Sequence, residues 1–170
     1  FGYYATGLVG IEARGMGVLR VTRVVKIGSR VLTTADGQLD LNQMRQLASD
    51  IMAAQKFDGS PVVLVSSGAI ICGSGVLNSP VNTLPEKQAA AAVGQGFLMA
   101  EYRRFFRDFG LSVAQILVTQ DSFENPEKRC NVKNTLDALL AKQVIPIINE
   151  NDTVSTAEIN LVDNDQLASL

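Results

Sequence analysis

The run Val-Ile-Pro-Ile-Ile at residues 144–148 constrains this chain most, because it stops abruptly at Asn149, Glu150, Asn151 and Asp152. β-Branched side chains crowd a helical turn but sit well on a pleated surface. A run that is apolar at every position belongs to a strand covered on both faces. Such strands occur in parallel α/β sheets, whose ligands bind beyond the carboxyl ends of the strands. The short polar side chains after Ile148 are therefore delivered where a ligand would sit. A second cluster, Asp163, Asn164 and Asp165, follows just ahead of Leu167. Helix capping accounts for Asp163, since Asn and Asp are preferred caps, but not for both clusters. Amides and carboxylates recognise ammonium groups, carboxylates and metal-bound water. The pattern points to a small zwitterion.

The rest of the chain repeats the theme. Residues 18–27 read as a first strand running into Gly28 and Ser29. Residues 61–65 read as a second, ending in Ser66, Ser67 and Gly68, and residues 111–118 as a third. Amphipathic helices are expected at 40–55, at 86–109 and at 130–143, with loops at 78–85 and 119–127. Gly94 and Gly96 in the long alanine-rich helix imply a bend or close packing there. The order β-α-β-α-β-α-β predicts a mainly parallel sheet with right-handed crossovers and helices on both faces, a three-layer αβα sandwich. Residues 1–15 hold four glycines and fit no period, so they are expected to be an extension ahead of a domain at 16–170, with Met16 as the natural start. The chain stops at Leu170, inside the first turns of what reads as a new helix. It is expected to be an amino-terminal portion, truncated on its carboxyl side.

The chain contains no histidine. That removes the Ser-His-Asp triad, the Cys-His pair and His-ligated zinc. Phosphoryl transfer suits what is left, because it rests on positioning and charge neutralisation. Lys26 stands at a strand end with Gly28 two residues on, where a tight turn lets backbone N–H groups face an anion. Read alone, such a lysine is more often a solvated surface residue. Neither G-x-x-x-x-G-K-[ST] nor G-x-G-x-x-G occurs. Ser66 and Ser67, followed by glycine, could hold a carboxylate or phosphate, or form an ordinary strand-to-helix turn. The formal net charge of −2 gives no basic footprint for nucleic acid. Arg103, Arg104 and Arg107 read as a solvated face. No apolar run approaches the ~20 residues that span a bilayer. Cys72 and Cys130 have no metal spacing and read as filler in a reducing compartment, taken as the cytoplasm.

Three elements in order carry a resemblance: Val-Lys-Ile-Gly-Ser at 25–29; Val-Ser-Ser-Gly-Ala-Ile at 65–70 with Lys-Gln-Ala-Ala-Ala-Ala-Val-Gly-Gln at 87–95; and Ile-Asn-Glu-Asn-Asp-Thr at 148–153 with Asp-Asn-Asp at 163–165. From about residue 18 onward the chain closely resembles the bacterial glutamate 5-kinases of the amino acid kinase superfamily. The resemblance implies ATP- and Mg2+-dependent phosphorylation of the side-chain carboxylate of L-glutamate to γ-glutamyl phosphate, the first step of proline synthesis. It implies that Lys26 neutralises the phosphoryl group in flight, and that Gly28 and Ser29 contact the phosphates. Ser67, Asp152 and Asn164 match glutamate-binding positions, and Asp165 matches the aspartate that holds the catalytic lysines. It also implies proline as a feedback inhibitor and a homo-oligomer in the complete protein, while the charge and hydropathy readings above give no nucleic-acid or membrane partner. Arg30 departs from the family, which carries a small residue there. The family continues for roughly another hundred residues, with most of the nucleotide pocket and a second catalytic lysine. Two other readings stand beside this one: a non-catalytic fragment that binds glutamate or proline, and a sibling kinase acting on aspartate, acetylglutamate or a nucleotide monophosphate.

Overall fold

The computed structural model describes residues 5–9, 22–34 and 38–154. Its strands are β1 (Ala5–Val9), β2 (Thr22–Ile27), β3 (Val62–Ser66), β4 (Ser112–Val118) and β5 (Val144–Glu150), and its helices are α1 (Ser29–Leu32), α2 (Leu41–Asp58), α3 (Ala69–Leu77), α4 (Leu84–Asp108), α5 (Asp121–Glu124) and α6 (Pro126–Ala141). The sheet order is β1-β2-β3-β5-β4. β1 pairs antiparallel to β2, and the other neighbours are parallel. The expected α/β sandwich with a mainly parallel sheet is what the chain forms.

Alternation along each strand divides the core into two layers. Val25, Ile27, Val62, Leu64, Ile145 and Ile147 face Met44, Leu47 and Ile51 of α2 and Leu98, Tyr102, Phe105 and Phe106 of α4. On the other side, Val24, Val63, Val65, Val118 and Ile148 pack with Leu136 of α6. Helix ends follow local chemistry. Asp40 Oδ1 accepts from the N–H groups of Asn42 and Gln43, each at 3.0 Å, and starts α2. Thr83 and Glu86 form a reciprocal capping box at the start of α4.

Several expectations are corrected. A strand, Ala5–Val9, falls within the glycine-bearing stretch where none was expected; pairing along β2 supplies what local pattern lacks. The second and third strands each begin one residue later than expected. Residues 18–21 lie outside the described residues. The loop expected at 119–127 holds α5 and the first turn of α6, because Asn125 caps Glu127 and Lys128 and Pro126 opens the helix. Of the two readings of Ser66–Gly68, the strand-to-helix turn is observed, leading directly into α3. Gly94 is a close-packing site, whereas a Cβ on Gly96 would meet nothing within 4 Å.

Among the described residues, no helix is long and apolar enough to cross a membrane.

Candidate functional site

Parallel strands end on a common rim, and the register fixes which residues share it. Lys26 lies opposite Val65, and Val65 opposite Ile148. The tips of β2, β3 and β5 therefore stand side by side, with β4 beyond β5. Lys26, half-buried, shares a sheet face with Val24, Val65 and Ile148. One residue past β2, Gly28 leads into α1. A Cβ built on Gly28 would meet nothing within 4 Å, so the space over this turn is open to a ligand.

The tip of β3 abuts that turn. Gly68 follows Ser66 and Ser67 and adopts φ +101°, a conformation that costs glycine little and L side chains much. A Cβ there would lie 3.8 Å from Ser29 Cα. The turn after Ser67 is thus held beside Ser29, and Ser67 is half-buried. A cation and two hydroxyl-bearing turns converge at β2 and β3. These residues fit a phosphate: Lys26 as the charge and the Gly28–Ser29 backbone as donors.

The tip of β5 is acidic. Asn151 N–H donates to Val118 O at 2.8 Å, which ties the segment after β5 to β4. Asp152 is half-buried. Burial away from water, and then the carboxylate of Glu150, push its carboxyl from the usual 3.8 up to about 6. Two carboxylates drawn together in partial burial favour a cation between them, and an ammonium group is the simplest.

Asn149 does not reach toward a ligand. It is buried, and its Nδ2 donates to Gln95 Oε1 at 2.8 Å. Gln95 Nε2 in turn donates to Gln115 Oε1 at 3.3 Å. Nothing in the helical period singles Gln95 out, apart from a polar side chain on the buried face of α4. Arg104 covers the ring of Phe105 at 4.6 Å and pairs with Glu101 at 3.2 Å. Asn164 and Asp165 lie outside the described residues. A separate cleft of about 250 Å³, lined by Lys56, Pro61, Val62, Gln143 and Val144 among others, opens at the opposite rim, where strands begin.

The model of the amino acid kinase family matches residues 21–170. Over 149 residues the chain is 48% identical to the glutamate 5-kinase of Moorella thermoacetica, covering 86% of this chain and 39% of that protein. It is 49% identical over 149 residues to the glutamate 5-kinase of Maridesulfovibrio salexigens, covering 86% and 39%. It is 46% identical over 158 residues to that of Trichlorobacter lovleyi, covering 91% and 42%. The chain spans about two fifths of the length of the curated relatives it matches. With a matched span that takes in every parallel strand and the whole rim, this chain belongs to the amino acid kinase family.

Proposed function

We propose that this chain is the substrate-binding, amino-terminal part (residues 16–170) of a cytoplasmic kinase that transfers the terminal phosphoryl group of ATP to the side-chain carboxylate of L-glutamate. The product, γ-glutamyl phosphate, is the activated acid that opens proline synthesis. One observation carries the reading: a cationic tip, Lys26, and an acidic tip, Glu150 and Asp152, flank the small residues that end β3 on the same rim.

A glutamate bound there has its ammonium group against Asp152 and Glu150 and contacts Ser67. Its side-chain carboxylate is already ionised at neutral pH, so attack on phosphorus needs no general base and no histidine. Lys26 draws negative charge off the phosphoryl group as it transfers, and the Gly28 and Ser29 backbone steadies the phosphates. When bound, ATP supplies the phosphoryl group and Mg2+ neutralises part of its charge. By the family resemblance Asn164 adds a contact to glutamate, and Asp165 orients the lysines.

The relatives' greater length favours a subsidiary reading, that this chain alone binds glutamate without turning it over. Hydroxylamine traps γ-glutamyl phosphate as a hydroxamate. The full-length protein should form it from L-glutamate with ATP and Mg2+, and Lys26→Met should abolish it. This chain alone should give calorimetric heat with glutamate and no hydroxamate. Preference for aspartate by the full-length protein would move the assignment to a sibling kinase. Absence of hydroxamate with either acid would refute the kinase reading, and robust turnover by this chain would refute the division of labour.

A further inference from the structure

Two buried side chains on one face of α4 reach adjacent strand tips. Tyr102 Oη and Ser66 Oγ lie 2.9 Å apart, and Ser66 Oγ donates to Ser67 O at 3.3 Å. Two turns earlier, Gln95 Oε1 accepts from Asn149 Nδ2 at 2.8 Å, and Asn149 Oδ1 accepts from the Glu150 N–H at 2.9 Å. Ser66 and Asn149 each follow the paired residues Val65 and Ile148, so they occupy the same row of the sheet. All four side chains are under a tenth exposed.

Burying these polar groups gains little net stability, because an apolar pair of the same shape packs as well. Their distinguishing feature is where the bonds end. Each relay finishes on a backbone group at the site, the Ser67 carbonyl or the Glu150 N–H. We propose that α4 is the positioning element of the site, with Gln95 setting the Glu150–Asp152 turn through Asn149 and Tyr102 setting Ser67 through Ser66. Neither Gln95 nor Tyr102 touches a ligand. The inference rests on the glutamate reading only in taking Ser67 and Asp152 as the side chains that hold the ligand.

The test separates position from stability in this chain. Gln95→Met leaves the Asn149 Nδ2 group buried without its acceptor, and the melting temperature should fall by roughly 4–8 °C. Adding Asn149→Leu removes the orphaned amide and should restore part of that loss, the Glu150 N–H losing its Asn149 acceptor in exchange. The carboxyl of Asp152, followed by carbon NMR against pH, should titrate near 6 in the parent. It should move toward 3.8 in both variants as the turn loosens, takes up water and carries Asp152 away from Glu150. Glutamate affinity should weaken roughly tenfold or more in both. Tyr102→Phe should weaken glutamate binding and leave the Asp152 titration in place. A Gln95→Met/Asn149→Leu chain with the parent's Asp152 titration would overturn the inference, whatever its stability. A parent that binds no glutamate, with the titration moving as expected, would remove the substrate reading and leave the positioning role standing.

Discussion

Alanine at Gly94 and alanine at Gly96, two residues apart on α4, should change stability in opposite directions. At Gly94 a Cβ would lie 1.9 Å from Ala69 O and 2.4 Å from Gly73 N, both backbone atoms of α3. No rotamer relieves such a clash. To reach ordinary contact near 3.4 Å the two helices must separate by about 1.5 Å, and a gap of 0.5–1 Å already forfeits a quarter to a half of each dispersion contact. Overpacking of this kind costs about 3 kcal/mol at the upper end of its usual range, against a gain of about 1 kcal/mol in helix propensity. The net loss is about 2 kcal/mol, or a melting temperature lower by roughly 4–8 °C in a chain of this size. At Gly96 a Cβ meets nothing within 4 Å, so only the propensity gain remains, about 0.5–1 kcal/mol and a rise of roughly 1–4 °C. Urea unfolding followed by far-ultraviolet circular dichroism measures both. Gly73→Ala attacks the same crossing, with its Cβ 1.7 Å from Ala90 O, so its effect should add to that of Gly94→Ala by much less than the sum. α3 begins directly after Gly68, and the forced separation should also displace Ser67 and weaken glutamate binding. Equal responses at 94 and 96, or a stabilising Gly94→Ala, would refute the packing argument.

Asp152→Asn tests the acidic tip. Because the fold raises this carboxyl from 3.8 to about 6, ionising it opposes folding: its contribution to stability is intact below 3.8, is lost as pH rises toward 6, and stays lost above. The Asn variant should be the more stable at pH 7, by at most ~3 kcal/mol for a partly solvated group, with the difference vanishing near pH 4; a variant less stable than its parent at pH 7 sinks this account. The same substitution should abolish measurable heat on glutamate addition. Cys130 is exposed, while burial pushes the Cys72 thiol up to about 11. A disulfide reagent should titrate one thiol in the native chain and two after denaturation, and rapid reaction of both in the native state contradicts the packing of α3. Thr83→Ala removes the hydroxyl that accepts from the Glu86 N–H and should lower the melting temperature by roughly 2–4 °C in a thermal scan; no change would mean the capping box contributes nothing.

What could be read from sequence was whatever a few neighbouring residues decide among themselves. The runs at 61–65, 111–118 and 144–148 are strands because β-branched side chains crowd a helix, and the rim followed from the parallel order those strands imply. The start of α6 was missed, because the polar, proline-bearing stretch around Asn125 and Pro126 reads as a loop until the helix it opens is seen. Other features needed the fold. The edge strand Ala5–Val9 exists by virtue of β2 beside it, and its own four-glycine surroundings argue for nothing. The glycines of α3 resemble a ligand-approach loop in sequence. In space Gly73 is set against the backbone of α4, where no Cβ fits. Asn149 resembles a ligand for the same reason as Asp152, since both are short and polar after an apolar run. Only the alternation of the strand, which turns Asn149 toward α4 and Gln95, separates the two.

The division of charge along the rim limits what can bind there and in which orientation. Lys26 belongs to β2 and Glu150 to β5, and β3 runs between them; Lys26 is level with Ile148, so Glu150 stands two interstrand spacings across, about 9.6 Å, and two residues, about 7 Å, further along. β3 ends at Ser66 and is followed by Ser67 and Gly68, none of which has a side chain long enough to bridge that span. A larger residue at 67 or 68 would fill it, and at 68 would also be strained at φ +101°. The opening therefore suits a ligand with a cation at one end and an anion at the other. An ammonium group belongs at the β5 end, where the Glu150 carboxylate lies close enough to Asp152 to help raise its carboxyl. A carboxylate belongs at the β2 end, beside the turn that can hold a phosphate. The reverse orientation sets carboxylate against carboxylate and ammonium against lysine, so under the proposed function electrostatics alone direct the side-chain carboxylate of glutamate toward the Gly28–Ser29 turn.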